Sequence, residues 1–241
     1  MAEIVFFQLT ILTAGFTQGF TGFGSALVML PLLTLIVEVK TAVPLITLLG
    51  IGINLILFLR LGEYIQWKRL RVLFISCIPG ILLGVYFLKT VPAGYLQTVI
   101  GVVLLLFPSY LLSKGVPGRE LAPVWAFPVG FLSGFLSGSI SAGGPPVILY
   151  TAMQPWGKIP IKSTLVGFFL ITSMAAGSVQ IGAGLMTAEV LQLFAAGIPA
   201  LVIGVLTGSR LFERVESKAY RKALLLLLIL LGMFMLVRAA S

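Results

Sequence analysis

Residues Gly130–Tyr150 read GFLSGFLSGSISAGGPPVILY, an apolar stretch that glycine, serine and proline interrupt. It lies within a longer apolar stretch, Val124–Trp156, which is too long for one membrane span. Because proline removes a backbone donor and glycine tolerates non-helical backbone, the interruption predicts two helical segments around a break at Ser137–Pro146. The stretch Ile4–Val37 is interrupted in the same way, at Gly22-Phe23-Gly24.

The composition predicts an all-α integral membrane protein. Of the 241 residues, 59% are hydrophobic and 10% are charged, whereas soluble domains carry about 25% charged residues. The mean hydropathy is +1.14. At roughly 20 residues per span, the chain can cross the bilayer at most about eight to ten times, which leaves no room for a separate soluble domain.

The composition also excludes most catalytic chemistry. The chain contains no His and no Asp, so neither a Ser-His-Asp triad nor a His-ligated metal site can form. The single Cys77 can form neither an intrachain disulfide nor a thiolate cluster. A Walker-type phosphate loop is also absent from the sequence. We therefore predict a protein that is not an enzyme and that binds no cofactor and no metal.

Ten apolar segments are predicted, and four of them come from the two interrupted stretches. The other six are uninterrupted runs that are long enough, or nearly so, to cross the bilayer as helices. These runs are Ala42–Leu59, Val72–Leu88, Leu96–Leu112, Thr164–Ile181, Val190–Ser209 and Ala223–Val237.

The charged residues between the segments predict the orientation. With Arg60–Arg71 in the cytoplasm, alternation places 13 of the 16 Lys and Arg residues inside, as the positive-inside rule requires. The other cytoplasmic loops are then Ser113–Pro123, Gln154–Ser163 and Arg210–Lys222. These loops account for the net charge of +9, so nucleic acid is not an expected partner. We expect no removable signal peptide and predict a multi-pass protein of the cell inner (plasma) membrane.

The two halves of the chain repeat one another. The matching landmarks are Ala14–Phe20 with Val129–Phe135, Pro31 with Pro146, and Ile78-Pro79 and Gly84 with Ile198-Pro199 and Gly204. Loop Arg60–Arg71 is strongly basic, whereas its counterpart Gly182–Glu189 has no Lys or Arg, so equivalent loops are predicted on opposite sides of the membrane. We predict two inverted-topology repeats in one membrane domain, residues 1–117 and 118–241, each beginning with Gly/Pro-broken short segments.

Paired broken segments in inverted repeats point to the substrate site of a secondary transporter. A half-helix that begins near the midplane directs unpaired N–H groups and a partial positive charge into the cavity, which favours an anion. Non-helical backbone at this depth persists only where protein or a watery cavity satisfies it. The predicted substrate contacts lie at both breaks: Gln18, Thr21, Gly22, Gly24, Ser25, Ser137, Ser139, Ser141, Gly143, Gly144 and Pro145.

Other interpretations of the polar and glycine residues stay open. Glycines four residues apart, such as Gly80 and Gly84, also allow close helix packing. Lys158 and Lys162 are either ordinary cytoplasmic loop charges or a basic vestibule that concentrates anions. Further polar residues within spans either bond a neighbouring helix or contact the substrate, namely Asn54, Thr172, Ser173 and Gln180.

The two interrupted stretches resemble the two signatures of the TauE/SafE sulfite-exporter family. The first is Gly15–Pro31, with glycines ahead of an apolar run that ends in Pro31. The second is Gly130–Tyr150, with a Gly-Gly-Pro-Pro break at Gly143–Pro146. The resemblance implies a multi-pass permease for small sulfur-containing anions such as sulfite, sulfoacetate or related organosulfonates.

We therefore expect a secondary transporter that exports such an anion by alternating access, with the anion held at the midplane between the breaks. A channel-like anion pore and an uptake permease for another small organic anion are the alternatives. All seven acidic residues are Glu and lie at or outside predicted span ends, so the membrane potential is the expected driving force. The expected partners are the small anion and the lipid bilayer, and a homo-oligomer is left open.

Overall fold

The structure is a computed structural model that describes residues 2–114, 122–154 and 156–212, with residues 226, 229–230, 232–237 and 239 nearer the C-terminus. Between residues 2 and 212, the described residues form nine α-helices and two 3₁₀ turns, and the described residues nearer the C-terminus are helical as well. The α-helices are α1 (Ala2–Thr21), α2 (Ser25–Leu33), α3 (Val39–Leu61), α4 (Trp67–Thr90), α5 (Ala93–Lys114), α6 (Ala126–Ile140), α7 (Gly144–Ala152), α8 (Lys158–Gly182) and α9 (Ala188–Phe212).

The helix lengths confirm the all-α membrane fold. Among the described residues, α1, α3, α4, α5, α8 and α9 are long and apolar enough to span a bilayer. Helices α2 and α7 have nine residues each, which rise about 14 Å and so reach less than halfway across a hydrocarbon core of about 30 Å. Each interrupted stretch therefore ends in a half-helix. The predicted segment Ala223–Val237 falls only partly within the described residues.

Two helix pairs pack through glycine at backbone distance. In the α4–α6 pair, a Cβ added at Gly80 would lie 2.8 Å from the amide nitrogen of Phe135, and one added at Gly84 would lie 2.8 Å from that of Ser139. In the α1–α9 pair, a Cβ at Gly19 would lie 3.0 Å from the amide nitrogen of Ser209. The packing interpretation of these small residues is confirmed, because only glycine lets the backbones approach so closely.

The two glycine-packed pairs are built alike. Gly15 of α1 lies against Leu201, Gly204 and Val205 of α9, and Gly138 of α6 lies against the corresponding three residues of α4, Ile81, Gly84 and Val85. Contacts advance in the same direction along both partners, so each pair is parallel. The contacts thus equate Gly15 with Gly138, two helical turns away from the predicted match with Gly130.

Helices α3 and α8, which hold corresponding places in the two halves, pack antiparallel. A Cβ at Gly50 would lie 3.6 Å from Oγ of Ser173, and one at Gly177, further along α8, faces Thr47, which is earlier in α3. The inverted relationship of the halves stays a prediction. Its proposed boundary, between residues 117 and 118, lies outside the described residues.

Candidate functional site

The first break is a three-residue turn between α1 and α2. Gly22 and Gly24 have φ values of 86° and 95°, which non-glycine residues rarely adopt. The hydroxyl of Thr21 donates to the carbonyl of Phe23 at 2.6 Å and receives the amide of Phe23 at 3.2 Å, which stabilises the turn. Helix α2 then begins at Ser25, so the predicted position of this break is confirmed.

The second break is narrower than predicted. Helix α6 continues to Ile140, and the non-helical residues are 141–143. Ser141 has a φ of 54°, in the left-handed region. Ser139 remains helical, with its hydroxyl bonded to the carbonyl of Phe135 one turn earlier at 2.7 Å. Helix α7 begins at Gly144 with two prolines in its first turn, where a missing N–H breaks no helical hydrogen bond.

A cavity lies between the two breaks, and we call it the break cavity; about 50 Å³ of it can be occupied by the centre of a water-sized sphere. Its lining comes from both breaks and from α3 and α8. No charged side chain of the described residues lines it. The polar side chains that line it are Gln18, Ser25, Thr47, Asn54, Ser137, Ser141, Thr172 and Ser173.

A chain of hydrogen bonds joins the first break to α3. The hydroxyl of Ser25 donates to Oε1 of Gln18, and Nε2 of Gln18 donates to Oδ1 of Asn54 at 2.6 Å. Nδ2 of Asn54 then donates to the carbonyl of Gly50 at 2.7 Å. Each side-chain amide has two N–H donors, and the described residues use one on Gln18 and one on Asn54. The second N–H of each has no hydrogen-bond partner among the described residues.

The second break is joined to the same helix. The hydroxyl of Ser141 donates to the carbonyl of Val43 at 2.8 Å and lies 2.6 Å from Oγ1 of Thr47. Helix α3 therefore holds both breaks, the first through Asn54 and the second through Val43 and Thr47. Because Asn54 lies about two turns after Thr47, α3 fixes the distance between the two breaks. Facing them, Phe169 of α8 contributes an aromatic wall to the cavity.

Seven of the eleven predicted contacts line the break cavity, and four do not. The seven are Gln18, Gly24, Ser25, Ser137, Ser141, Gly143 and Gly144. Of the four outside it, Thr21 stabilises the first turn, Gly22 packs on Lys162, and Ser139 lies in the α4–α6 contact. Pro145 is in the first turn of α7 and is not part of the lining.

Sequence reasoning did not single out Thr47 and Phe169. Thr47 and Asn54 are seven residues apart, which places them on one face of α3. That spacing is the only signal in the sequence that could have pointed to Thr47. Nothing in the local sequence distinguishes Phe169 from the other phenylalanines of the spans.

Lys162 lies inside α8 and is 4% exposed, so its interpretation as an ordinary solvated loop charge is wrong. Its Nζ donates to the carbonyl of Gly19 at 2.7 Å and lies 3.7 Å from the ring centroid of Phe212, a cation–π contact. Its stem supports the first break, since a Cβ added at Gly22 would lie 2.6 Å from Cγ of Lys162. The side chain of Lys158 lies outside the described residues.

The break cavity can hold a small anion without a buried cation. The first amides of α2 have no helical acceptor, and the helix dipole adds a partial positive charge at that end. The second break contributes fewer amides, because Pro145 and Pro146 have no N–H. Amide N–H donors therefore come mainly from the first break and from α3, because the hydroxyls of Ser25 and Thr47 already donate to Gln18 and to the Val43 carbonyl.

Comparison with known proteins identifies the family of the chain. The sulfite exporter TauE/SafE family matches residues 7–235. A protein of Comamonas testosteroni described as "Probable inner membrane transporter protein TsaS" is 22% identical over 171 residues, which cover 70% of this chain and 72% of that protein. No solved structure matches the chain. The family match covers nearly the whole chain, and six described helices are long and apolar enough to span a bilayer. The chain therefore belongs to the TauE/SafE family and is a multi-pass transporter of the inner membrane.

Proposed function

We propose that this transporter exports small sulfur-containing anions, such as sulfite or organosulfonates, and binds them in the break cavity. The observation that carries the proposal is the meeting of two helix breaks at one cavity, where the described lining residues are polar or apolar but carry no charge. The family's description as a sulfite exporter supports the choice of substrate class. The protein performs no covalent chemistry on the anion, which enters and leaves unchanged.

The neutral lining suits both capture and release. Gln18 and Asn54 present side-chain amides to the cavity, and each has a second N–H without a partner among the described residues. Hydrogen bonds to an anion are stronger than those between neutral groups, so these N–H groups and the first amides of α2 can replace part of the water around an oxyanion. A fixed cation would bind the anion more tightly and slow its release. Binding therefore compensates for lost hydration without trapping the substrate.

We propose that the two halves form inverted repeats and that the cavity opens to each side of the membrane in turn. In inverted-repeat transporters, the substrate lies between the repeats and one repeat rocks against the other. The antiparallel packing of α3 on α8 and the matched pairs α1–α9 and α4–α6 support two inverted repeats here. Export of one negative charge gains about 2.3 kcal/mol per 100 mV of inside-negative potential. A proton relay is not required for this direction.

Flux measurements in proteoliposomes test the proposal. Sulfite and sulfoacetate efflux should saturate with concentration and speed up when the same anion is present on the opposite side. Efflux that rises linearly without such exchange would favour an anion pore. Uptake of a carboxylate in preference to both sulfur anions would favour a permease of another class. No protein-dependent flux of either sulfur anion would contradict the proposal.

A matched pair of alanine substitutions tests the position of the site. A methyl group at Gly144 would lie 3.6 Å from Phe169 and 3.1 Å from the flexible end of Ile148, so it enters the cavity wall with little backbone strain. At Gly182 a methyl group meets nothing within 4 Å. We expect Gly144→Ala to lower flux at least fivefold, whereas Gly182→Ala transports like the wild type. Equal flux in the two variants would place the site elsewhere.

A further inference from the structure

One face of α8 carries a polar side chain near each end and the break cavity in between. Lys162 and Gln180 are 18 residues apart, which is five turns at about 3.6 residues per turn, so they lie on the same face. Phe169 and Ser173, which line the cavity, fall between them on that face. The rise from Lys162 to Gln180 is about 27 Å, close to the thickness of the hydrocarbon core.

Gln180 is the exception among the buried polar side chains on this route. It is fully buried, at 0% exposure, and neither Nε2 nor Oε1 has a hydrogen-bond partner among the described residues. By contrast, Gln18, Asn54 and Ser141 are all hydrogen-bonded. Burying an amide in an apolar interior without a hydrogen bond is unfavourable, so such a group needs an explanation.

We propose that Gln180 is a second contact site for the transported anion, on the opposite side of the break cavity from Lys162. Ala176 lines the cavity, and Gln180 follows it by four residues, a rise of about 6 Å. An anion that leaves the cavity along this face meets the side-chain amide next, and its NH₂ group can donate two hydrogen bonds. This inference rests on the proposed function and extends it from one site to a route.

The lack of a hydrogen-bond partner leaves the Gln180 amide free to bind the anion. A donor bonded permanently to a neighbouring helix would not be available to a passing oxyanion. A charged donor would hold the anion, whereas a neutral amide is a weak, transient contact.

The substitution Gln180→Leu tests the site, with Ser178→Ala as the control on the same helix. Ser178 is exposed and bonded to the carbonyl of Met174 at 2.9 Å. Removing an unpaired buried amide should leave the melting temperature unchanged or raise it. We expect sulfite and sulfoacetate flux through Gln180→Leu to fall at least tenfold, while thermal stabilisation by sulfoacetate stays within twofold of wild type because the break cavity is intact.

Three other outcomes overturn the inference. Flux within twofold of wild type shows that no contact with Gln180 is needed, while a loss in Gly144→Ala would leave the proposed function standing. A lower melting temperature together with lower flux identifies a structural role for Gln180. A wild-type protein that moves neither sulfur anion contradicts the proposed function and, with it, this site.

Discussion

Nε2 of Gln18 donates to Oδ1 of Asn54 at 2.6 Å, which ties the last turn of α1 to the middle of α3. Because Asn54 in turn donates to the carbonyl of Gly50, the first break is linked to the helix backbone that faces α8. The bond therefore couples the position of the break to the position of α3. A substitution that removes it should affect both anion binding and stability.

We predict that Gln18→Leu weakens sulfoacetate binding at least tenfold, or about 1.4 kcal/mol. It removes a donor from the cavity and leaves Ser25 and Asn54 without this partner, which costs about 1–3 kcal/mol of stability. The measurement is the sulfoacetate concentration that gives half of the maximal thermal stabilisation. Gln8→Leu is the control, since Gln8 is on the same helix but bonds the carbonyl of Ala196 at an exposed site. A half-saturating concentration within twofold of wild type would contradict the prediction.

Gly134→Ala should destabilise the protein without touching the cavity. A Cβ at Gly134 would lie 2.9 Å from Sγ of Cys77 and would also collide with the Cys77 carbonyl, so α4 and α6 would have to move apart. Overpacking of this kind costs about 1–3 kcal/mol. Melting temperature in detergent is the measurement, and Gly182→Ala is the control. Equal melting temperatures would show that the helix pair tolerates the extra methyl group.

Lys162→Met should lower stability more than Lys40→Met. Both lysines donate to a backbone carbonyl, Lys162 to Gly19 at 2.7 Å and Lys40 to Lys89 at 3.0 Å, but only Lys162 is buried. Its loss leaves a buried carbonyl without this donor, at a cost of about 1–3 kcal/mol, and ends the contact with Phe212. Unfolding curves for the two variants provide the comparison. If the two substitutions have the same effect, burial of Lys162 contributes nothing to stability.

Cysteine labelling tests the predicted topology. On a Cys77→Ala background, Glu63→Cys reports the loop Arg60–Arg71, and Ala188→Cys reports the loop Gly182–Glu189. Both positions are exposed in the structure. We expect a membrane-impermeant maleimide to label Ala188→Cys in intact cells and Glu63→Cys only after the cells are opened. Labelling of both in intact cells would contradict the predicted sides.

The first break could be placed from sequence because its geometry requires glycine. Gly22 and Gly24 both adopt positive φ, so the pattern that interrupts the apolar run is the pattern that the turn needs. The second break was predicted too broadly. A serine inside a helix can bond the carbonyl one turn earlier, as Ser139 does with Phe135, so serine alone does not show where a helix ends.

The register between the halves could not be fixed from sequence. Gly130, Gly134 and Gly138 follow one another at intervals of four residues. Sliding the alignment by four or eight residues therefore keeps the glycines matched, and only the contacts with α4 and α9 equate Gly15 with Gly138. The contribution of α3 to the site was hidden for a related reason. Thr47 reaches Ser141 across 94 positions of sequence, a distance that local patterns do not report.

Helix α1 packs on α9, a helix far away in sequence, and this has a consequence for biosynthesis. Helix α1 ends at Thr21, whereas its partner α9 begins at Ala188. At about 5–20 residues per second, the ribosome takes of the order of ten seconds or more to complete the partner. During this time the face of α1 that carries Gly15 and Gly19 lacks the α9 residues it packs against in the folded protein. Helix α1 is thus synthesised long before its permanent neighbour α9, and chains truncated before α9 should expose that face to membrane quality control.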